Sequence, residues 1–221
     1  MTFSELIQAV QRNIQDDSRI SNIIGSHIGD MINRSVLEIA GGMKSVLGSW
    51  ITPPLPELLT IGTVDTATDA AYVSMPDNFQ RQLQFVASSE GNEIDIAESF
   101  ISFAETYPLL DKSGSVTECC EVGGNFYYQG IPSASIEITI HYYQSPTDMS
   151  ADADEPDGIP SHLHESLLVN YTCWKIFDLI KDMSIEQLDV ITEPFRVRFY
   201  HALEILELSI PYEIRGFNLS K

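Results

Sequence analysis

A chain of 221 residues and 24.7 kDa, 43% hydrophobic with a mean hydropathy of -0.03, carries enough apolar material for a packed core; this excludes disorder or a collagen-like fibre as a description of the whole. No run reaches the ~18 uncharged apolar residues that a membrane-spanning helix needs, and Met1–Glu5 shows no basic-then-apolar secretion signal. Thirty-two acids against 12 Lys and Arg give a formal charge of -20, which repels nucleic acid and anionic lipid at long range and argues against a conventional DNA-binding domain.

The imbalance is local as well as global. Between Gln82 and Trp174 stand 15 acids and one base, Lys112. Such a stretch serves solubility, or forms an acidic wall facing something that must not stick. Three cysteines, Cys119, Cys120 and Cys173, include an adjacent pair and no CxxC. An odd count of this kind argues against a disulfide framework and for folding in a reducing compartment.

The first third reads as helix. Thr2 and Glu5 have capping-box spacing, and Phe3, Leu6, Ile7 and Val10 follow at helical intervals. Asp16-Asp17-Ser18 interrupts that pattern. A second helix is expected from about Ser18 to Ala40, with Ile20, Ile24, Ile28, Met31 and Ile32 on one face and Gly41-Gly42 as its stop. Two helices joined so closely favour an antiparallel hairpin.

From Trp50 the period changes. Pro53, Pro54 and Pro56 cannot sit in a helix interior or a central strand. Short strands are predicted at Ala71–Met75, Leu83–Val86 and Glu93–Ala97, and a short helix at Glu98–Tyr107 halted by Pro108. Asn125–Gln129 and Ser135–Tyr143 are the clearest strands, the second with Ile136, Ile138, Ile140 and Tyr142 on one face; Gly130–Ala134 is expected to join them as a hairpin turn. Gln144–Pro160 is a loop rich in Asp, Ser, Ala and Pro.

Helix then returns. Ser161 is the expected N-cap of a helix carrying Leu163, Leu167, Tyr171 and Trp174. A short piece at Ile185–Leu188 leads to a final helix opened by Thr192-Glu193-Pro194, with Phe195, Phe199, Ala202, Leu206 and Ile210 as its stripe and Pro211 as its stop. No internal repeat is present. The expected class is α+β, with terminal helices packed as a bundle and a central β-rich insert. The expected segments are a helix pair at 1–49, the insert at 50–146, an acidic loop at 147–160, bundle helices at 161–210 and a tail at 211–221.

Candidate chemical sites are weak. His162-Leu-His164-Glu165 lacks the i,i+4 histidine pair of a zinc helix, so a surface helix start is the expectation. Asp152-Ala-Asp154-Glu155-Pro156-Asp157-Gly158 fails the calcium-loop register and reads as a solvated acidic loop. Gly41-Gly-Met-Lys44-Ser45 follows a helix rather than a strand and reads as a helix cap, not a phosphate loop. No nucleophile motif occurs. No catalytic residue, metal or cofactor is assigned. Two classes stay open on the residues alone: a carboxylate-dependent hydrolase, and an acidic interaction module that binds a basic partner.

Ordered phrases along residues 2–210 carry a resemblance. They are Ile28-Gly-Asp-Met-Ile-Asn-Arg-Ser-Val-Leu-Glu-Ile-Ala40, Met75-Pro-Asp-Asn-Phe-Gln-Arg-Gln-Leu83, Asn125-Phe-Tyr-Tyr-Gln129 with Ile136-Glu-Ile-Thr-Ile-His-Tyr-Tyr-Gln-Ser-Pro146, and Ile159-Pro-Ser-His-Leu-His-Glu-Ser-Leu-Leu-Val169. The set resembles the tailed-bacteriophage head-to-tail adaptor, or connector, proteins. The resemblance implies a structural, non-enzymatic virion protein at the head-tail neck, assembled in the host cytoplasm. It implies a ring, usually of twelve subunits, under the portal protein, docking a tail or nozzle protein, with DNA passing through the lumen without specific binding and no membrane. Each phosphate neutralised by Lys or Arg would add affinity, so an acidic lumen suits passage. The -20 charge makes ring closure self-repelling, so a monomer or weak oligomer is expected until the portal supplies a template.

The C-terminal tail is a candidate portal-docking segment. Pro211 turns the chain out of the last helix, and Tyr212, Ile214, Phe217 and Leu219 give Tyr212–Lys221 more apolar surface than an exposed terminus usually carries, while Arg215 and Lys221 against Glu213 reverse the charge of the chain locally.

Overall fold

The computed structural model describes residues 1–14, 24–43, 52–179 and 185–210. The chain divides into a helical unit, Met1–Leu58 with the chain from Pro146 onward, and a β-rich unit, Leu59–Ser145. The class is α+β, with terminal helices packed together as expected.

In the helical unit, α1 spans Phe3–Ile14 and α2 spans Ile24–Ala40. The capping box forms: Thr2 N–H donates to Glu5 Oε2 at 2.9 Å, and Glu5 N–H donates to Thr2 Oγ1 at 3.4 Å. The next free amides of the first turn also find partners, Phe3 N on Asp154 O and Ser4 N on Asp152 O. The face Phe3, Leu6, Val10 and Ile14 is buried, and α2 answers with Ile28, Ile32, Val36 and Ile39. Gly42 ends α2 with φ +79°, a conformation that glycine adopts without a Cβ clash. The stretch from Asp16 to Asn22, with the expected helix start at Ser18, lies outside the described residues.

The second helical segment departs from expectation. Ser161 caps nothing; Ser161–Leu163 is a 3-10 turn whose N-cap position is Pro160, with no side-chain cap bond. A π-helical turn, Glu165–Val169, follows, and only then α4, Asn170–Asp178. Asn170 fits this junction, its Nδ2 donating to Ser166 O at 2.8 Å. The final helix α5 is one element, Ile185–Ser209, with Pro194 inside it. It is not a short piece followed by a helix starting at Thr192. Thr192 belongs to the helix interior, its hydroxyl donating to Leu188 O at 2.9 Å. The expected stripe holds at Phe199, Ala202, Leu206 and Ile210, which are buried, while Phe195 is half-buried and stacks on Phe177. Tyr171, Trp174, Phe199 and Tyr200 form one aromatic cluster between α4 and α5. Helix α4 packs against α1, α2 and α5, which makes the terminal elements one bundle.

The β-rich unit has two sheets. One has the order β1-β7-β3, with β1 at Leu59–Asp65, β3 at Phe79–Ser88 and β7 at Glu137–Gln144. The other has the order β2-β6-β5-β4, with β2 at Tyr72–Ser74, β4 at Asp95–Ile96, β5 at Glu118–Val122 and β6 at Asn125–Tyr128. A seven-residue helix, α3, spans Phe100–Thr106 and is capped by Ser99. Strands β6 and β7 are therefore not a hairpin. Residues 130–134 carry the chain from one sheet to the other, and β6 pairs with β5 across the glycine turn Gly123-Gly124, both at positive φ.

Three strands differ from the sequence reading. β1 was not expected, β5 was not expected, and β3 is longer than Leu83–Val86. In β3 the register to β7 shifts three times between Phe79 and Phe85, and Gln82 sits at φ +46°. These bulges let Leu83 and Val86, three residues apart, face the same core and break the period of two. The core joins residues from both sheets: Val64, Val86, Ile138, Ile140 and Tyr142 from one, Cys119, Phe126 and Tyr128 from the other. Each large apolar side chain buried there contributes ~1.5–3 kcal/mol.

Candidate functional site

The acidic loop is anchored rather than freely solvated. Asn33 on α2 grips Met149 on both sides, its Nδ2 donating to Met149 O at 3.0 Å and its Oδ1 accepting from Met149 N at 3.1 Å. Asp154 accepts from Ser150 N and Ala151 N, each at 2.7 Å, and these two amides hold its carboxyl below its ordinary value. Asp157 accepts from Thr147 N at 2.9 Å. The carboxylates thus shape the loop, while its carbonyls satisfy the start of α1.

His162 and His164 part company. His162 is exposed, but His164 is 2% exposed, with Nε2 2.8 Å from Ile159 O; the expected surface helix start is incorrect for this residue. A carbonyl only accepts, so Nε2 carries the proton. The bond ties the 3-10 turn back to the end of the acidic loop. Among the described residues no three His, Cys, Asp or Glu side chains could hold a metal ion, and no helix is long and apolar enough to cross a membrane.

The most organised polar site lies between α2 and α4. A cavity of about 310 Å³ is lined by Met31, Arg34, Ser35, Glu38, Tyr171, Lys175, Asp178 and Leu179. The helical period of α2 puts Met31, Ser35 and Glu38 on one face, and that of α4 brings Tyr171, Lys175 and Asp178 opposite. Tyr171 Oη donates a short hydrogen bond to Glu38 Oε2, and Arg34 Nε donates to Glu38 Oε1 at 2.9 Å. Deeper in, the hydroxyls of Ser35 and Thr172 meet at 3.0 Å.

Electrostatics follow from these contacts. Burial by itself would raise Glu38, but the Tyr171 hydroxyl and Arg34, with Lys175 at longer range, outweigh it and hold the carboxyl below its ordinary value. Burial and the Glu38 carboxylate push the Tyr171 phenol upward. Glu38 is therefore ionised and Tyr171 neutral at pH 7. Burial raises the Asp178 carboxyl, against the pull of Lys175 and a hydrogen bond from Trp174. Among the described residues Lys175 makes no ion pair within 4 Å; its Nζ lies over the rings of Trp174 and Tyr171, 4.7 and 5.2 Å from their centroids. This arrangement joins two helices and sets two cations and two carboxylates around one cavity.

Sequence reasoning missed this site. Arg34 and Glu38 form a readable i,i+4 pair, but Tyr171 is 133 residues from Glu38 and looks like any member of an apolar stripe. The tail residues Tyr212, Ile214, Arg215, Phe217 and Leu219 lie outside the described residues, as do Lys44 and Ser45 of the glycine segment. The three cysteines are unpaired and buried, and burial lifts the thiols of Cys119 and Cys173 to about 12.

A search of curated proteins returned no match. The model of one family, described as SU10 adaptor protein, matches residues 1–208, nearly the whole chain and every helix and strand described above except the last residue of α5. The chain therefore belongs to the SU10 adaptor protein family, a family of phage head-to-tail adaptors.

Proposed function

We propose that this protein forms a closed ring under the portal, continues the DNA channel below it and offers a platform to the tail or nozzle. The observation that carries this reading is the family match over residues 1–208. A structural adaptor family implies a non-enzymatic role in the virion neck. Charge supports the channel: the β-rich unit holds 12 acids against Arg81 and Lys112, so DNA sliding past it meets few cations to release counterions against. A closed ring needs a head-to-tail contact that repeats around an axis. With -20 per copy that contact is opposed in free solution and favoured on a template.

The tail Tyr212–Lys221 is the proposed anchor on the portal, through Tyr212, Ile214, Phe217 and Leu219 with Arg215. Sedimentation with and without portal rings of the same phage tests both statements. Single copies alone and a ring on the portal are expected. A stable ring at low salt and micromolar protein without portal would contradict templating. Truncation after Ile210 is expected to preserve the melting temperature and lose portal binding; unchanged binding would place the anchor elsewhere.

A further inference from the structure

We propose that the α2/α4 cavity is a socket for the outer face of α5 from a second copy of this chain. This rests on the ring reading above and names the contact that would repeat around it.

Helix α5 has two faces. Phe199, Ala202, Leu203 and Leu206 are buried on the inner one. On the outer one Val190 is 76% exposed, Val197 56% and Ile205 40%. At ~100° per residue these three fall within about 80° of one another. Glu186, Glu193 and Glu204 run along one flank of that stripe, all exposed. The outer face is thus an apolar strip interrupted by exposed His201, with an acidic border in which Glu193 pairs with Arg196 and Glu204 Oε2 lies 3.9 Å from His201 Nδ1.

The cavity offers the complement. Met31 and Leu179 supply apolar wall, with Leu179 54% exposed, and Arg34 and Lys175 are its cations. The Glu38 carboxylate is already engaged by Arg34 and Tyr171, whereas Lys175 rests on aromatic rings and, among the described residues, makes no ion pair within 4 Å, with Asp178 in the same lining at longer range. The described Lys and Arg residues of the helical unit are Arg12, Arg34, Lys175, Arg196 and Arg198; Arg34 and Lys175 line one cavity together with the acids Glu38 and Asp178. A chain of charge -20 that must pack against itself gains most by bringing glutamates to such a pair.

Position supports a ring over a symmetric pair. Helix α4 packs against α2 and against α5, while α2 and α5 share no substantial contact. Socket and strip therefore lie on different helices of one bundle. Joining them between copies is heterologous, and such a contact generates a closed ring when its rotation closes.

The test uses the full chain with portal rings of the same phage, read by sedimentation. The unsubstituted protein is expected to give the ring. Lys175→Glu is expected to lose it, and so is Glu193→Lys with Glu204→Lys. The three substitutions together, which invert the contact, are expected to regain it. Lys112→Glu makes the same charge change in the other unit and is expected to leave the ring intact. Val197→Asp, at an exposed position that leaves the inner face untouched, is expected to lose the ring while keeping the monomer's circular dichroism and melting temperature. A ring from Lys175→Glu or from Val197→Asp would overturn the proposal, as would equal loss from Lys112→Glu. Loss of portal binding by single copies of Lys175→Glu would overturn it too, and assign the cavity to the portal. If the unsubstituted protein gives no ring at all, the ring reading itself falls, and this contact with it.

Discussion

The helical and β-rich units are stabilised by different means. The β-rich unit has an apolar core in which Tyr128 supplies a polar handle, its hydroxyl donating to Ala70 O at 2.8 Å and accepting from Ala67 N at 2.8 Å. The helical unit crosses its interior with polar bonds: Ser35 to Thr172, Glu38 to Tyr171, Asn33 to Met149 and His164 to Ile159. A two-sheet core is held by burial that is insensitive to pH. A helical bundle wired by directional hydrogen bonds depends on geometry and, through the Glu38 carboxylate, on protonation. The unit proposed to carry the contacts between copies is the one with directional bonds, which hold helix faces in fixed register.

The largest effect should come from the β core. Phe126→Ala removes a fully buried ring between the sheets and should cost about 3–5 kcal/mol. Hydrogen exchange should show the loss in strands β1–β7 with protection of α4 retained; equal loss in both units would mean that they unfold as one.

Next is the Glu38 bond. Tyr171→Phe deletes a hydrogen bond to a partly exposed carboxylate and should cost about 1–2 kcal/mol, after allowance for solvent screening. The pH dependence has a definite sign. A carboxyl held below its ordinary value stabilises the fold fully above that value, and the contribution disappears as pH falls through the lowered one. Acid titration of thermal stability should therefore show a step below the ordinary range of Glu38, and Tyr171→Phe should flatten it.

Asn33→Ala removes both bonds to Met149 and should cost ~1–2 kcal/mol. Its signature is local: the loop 147–160 should become cleavable by protease before the helices unfold. Thr2→Ala is expected to be smaller, ~0.5–1 kcal/mol, because two amides of the first turn of α1 are already satisfied by Asp152 and Asp154 carbonyls. Chemical denaturation of the pair Thr2→Ala and Asn33→Ala sharpens the point: the joint effect should exceed the sum, since Asn33 holds the loop that caps α1.

Burial of the cysteines yields the smallest expected signal. With thiols lifted to about 12 at Cys119 and Cys173, a disulfide reagent at pH 8 should not label either in the folded protein. Rapid labelling of Cys119 alone would show that the β-rich unit opens independently of the helical one.

What the sequence determined by itself is local. Thr2 and Glu5 satisfy each other's amides within one turn, so their spacing is sufficient evidence of the start of α1. The stripe Phe199, Ala202, Leu206 and Ile210, the alternation Ile138, Ile140, Tyr142, and the stop at Gly41-Gly42 likewise need only neighbours along the chain. Net charge is a sum and needs no fold at all. Tertiary structure decided the rest, because pairing energy depends on residues far apart in sequence. Leu59–Asp65 carries the β-branched Thr60, Ile61, Thr63 and Val64 but buries only Val64, so its strand rests on pairing with β7, and nothing near Gly130 says that β6 and β7 enter different sheets. Pro194 sits inside α5 against the local rule, within a helix whose apolar face packs on α4. The bond from Tyr171 to Glu38 exists only because two helices 133 residues apart share a face, and a hydrogen bond has no signature in either sequence neighbourhood.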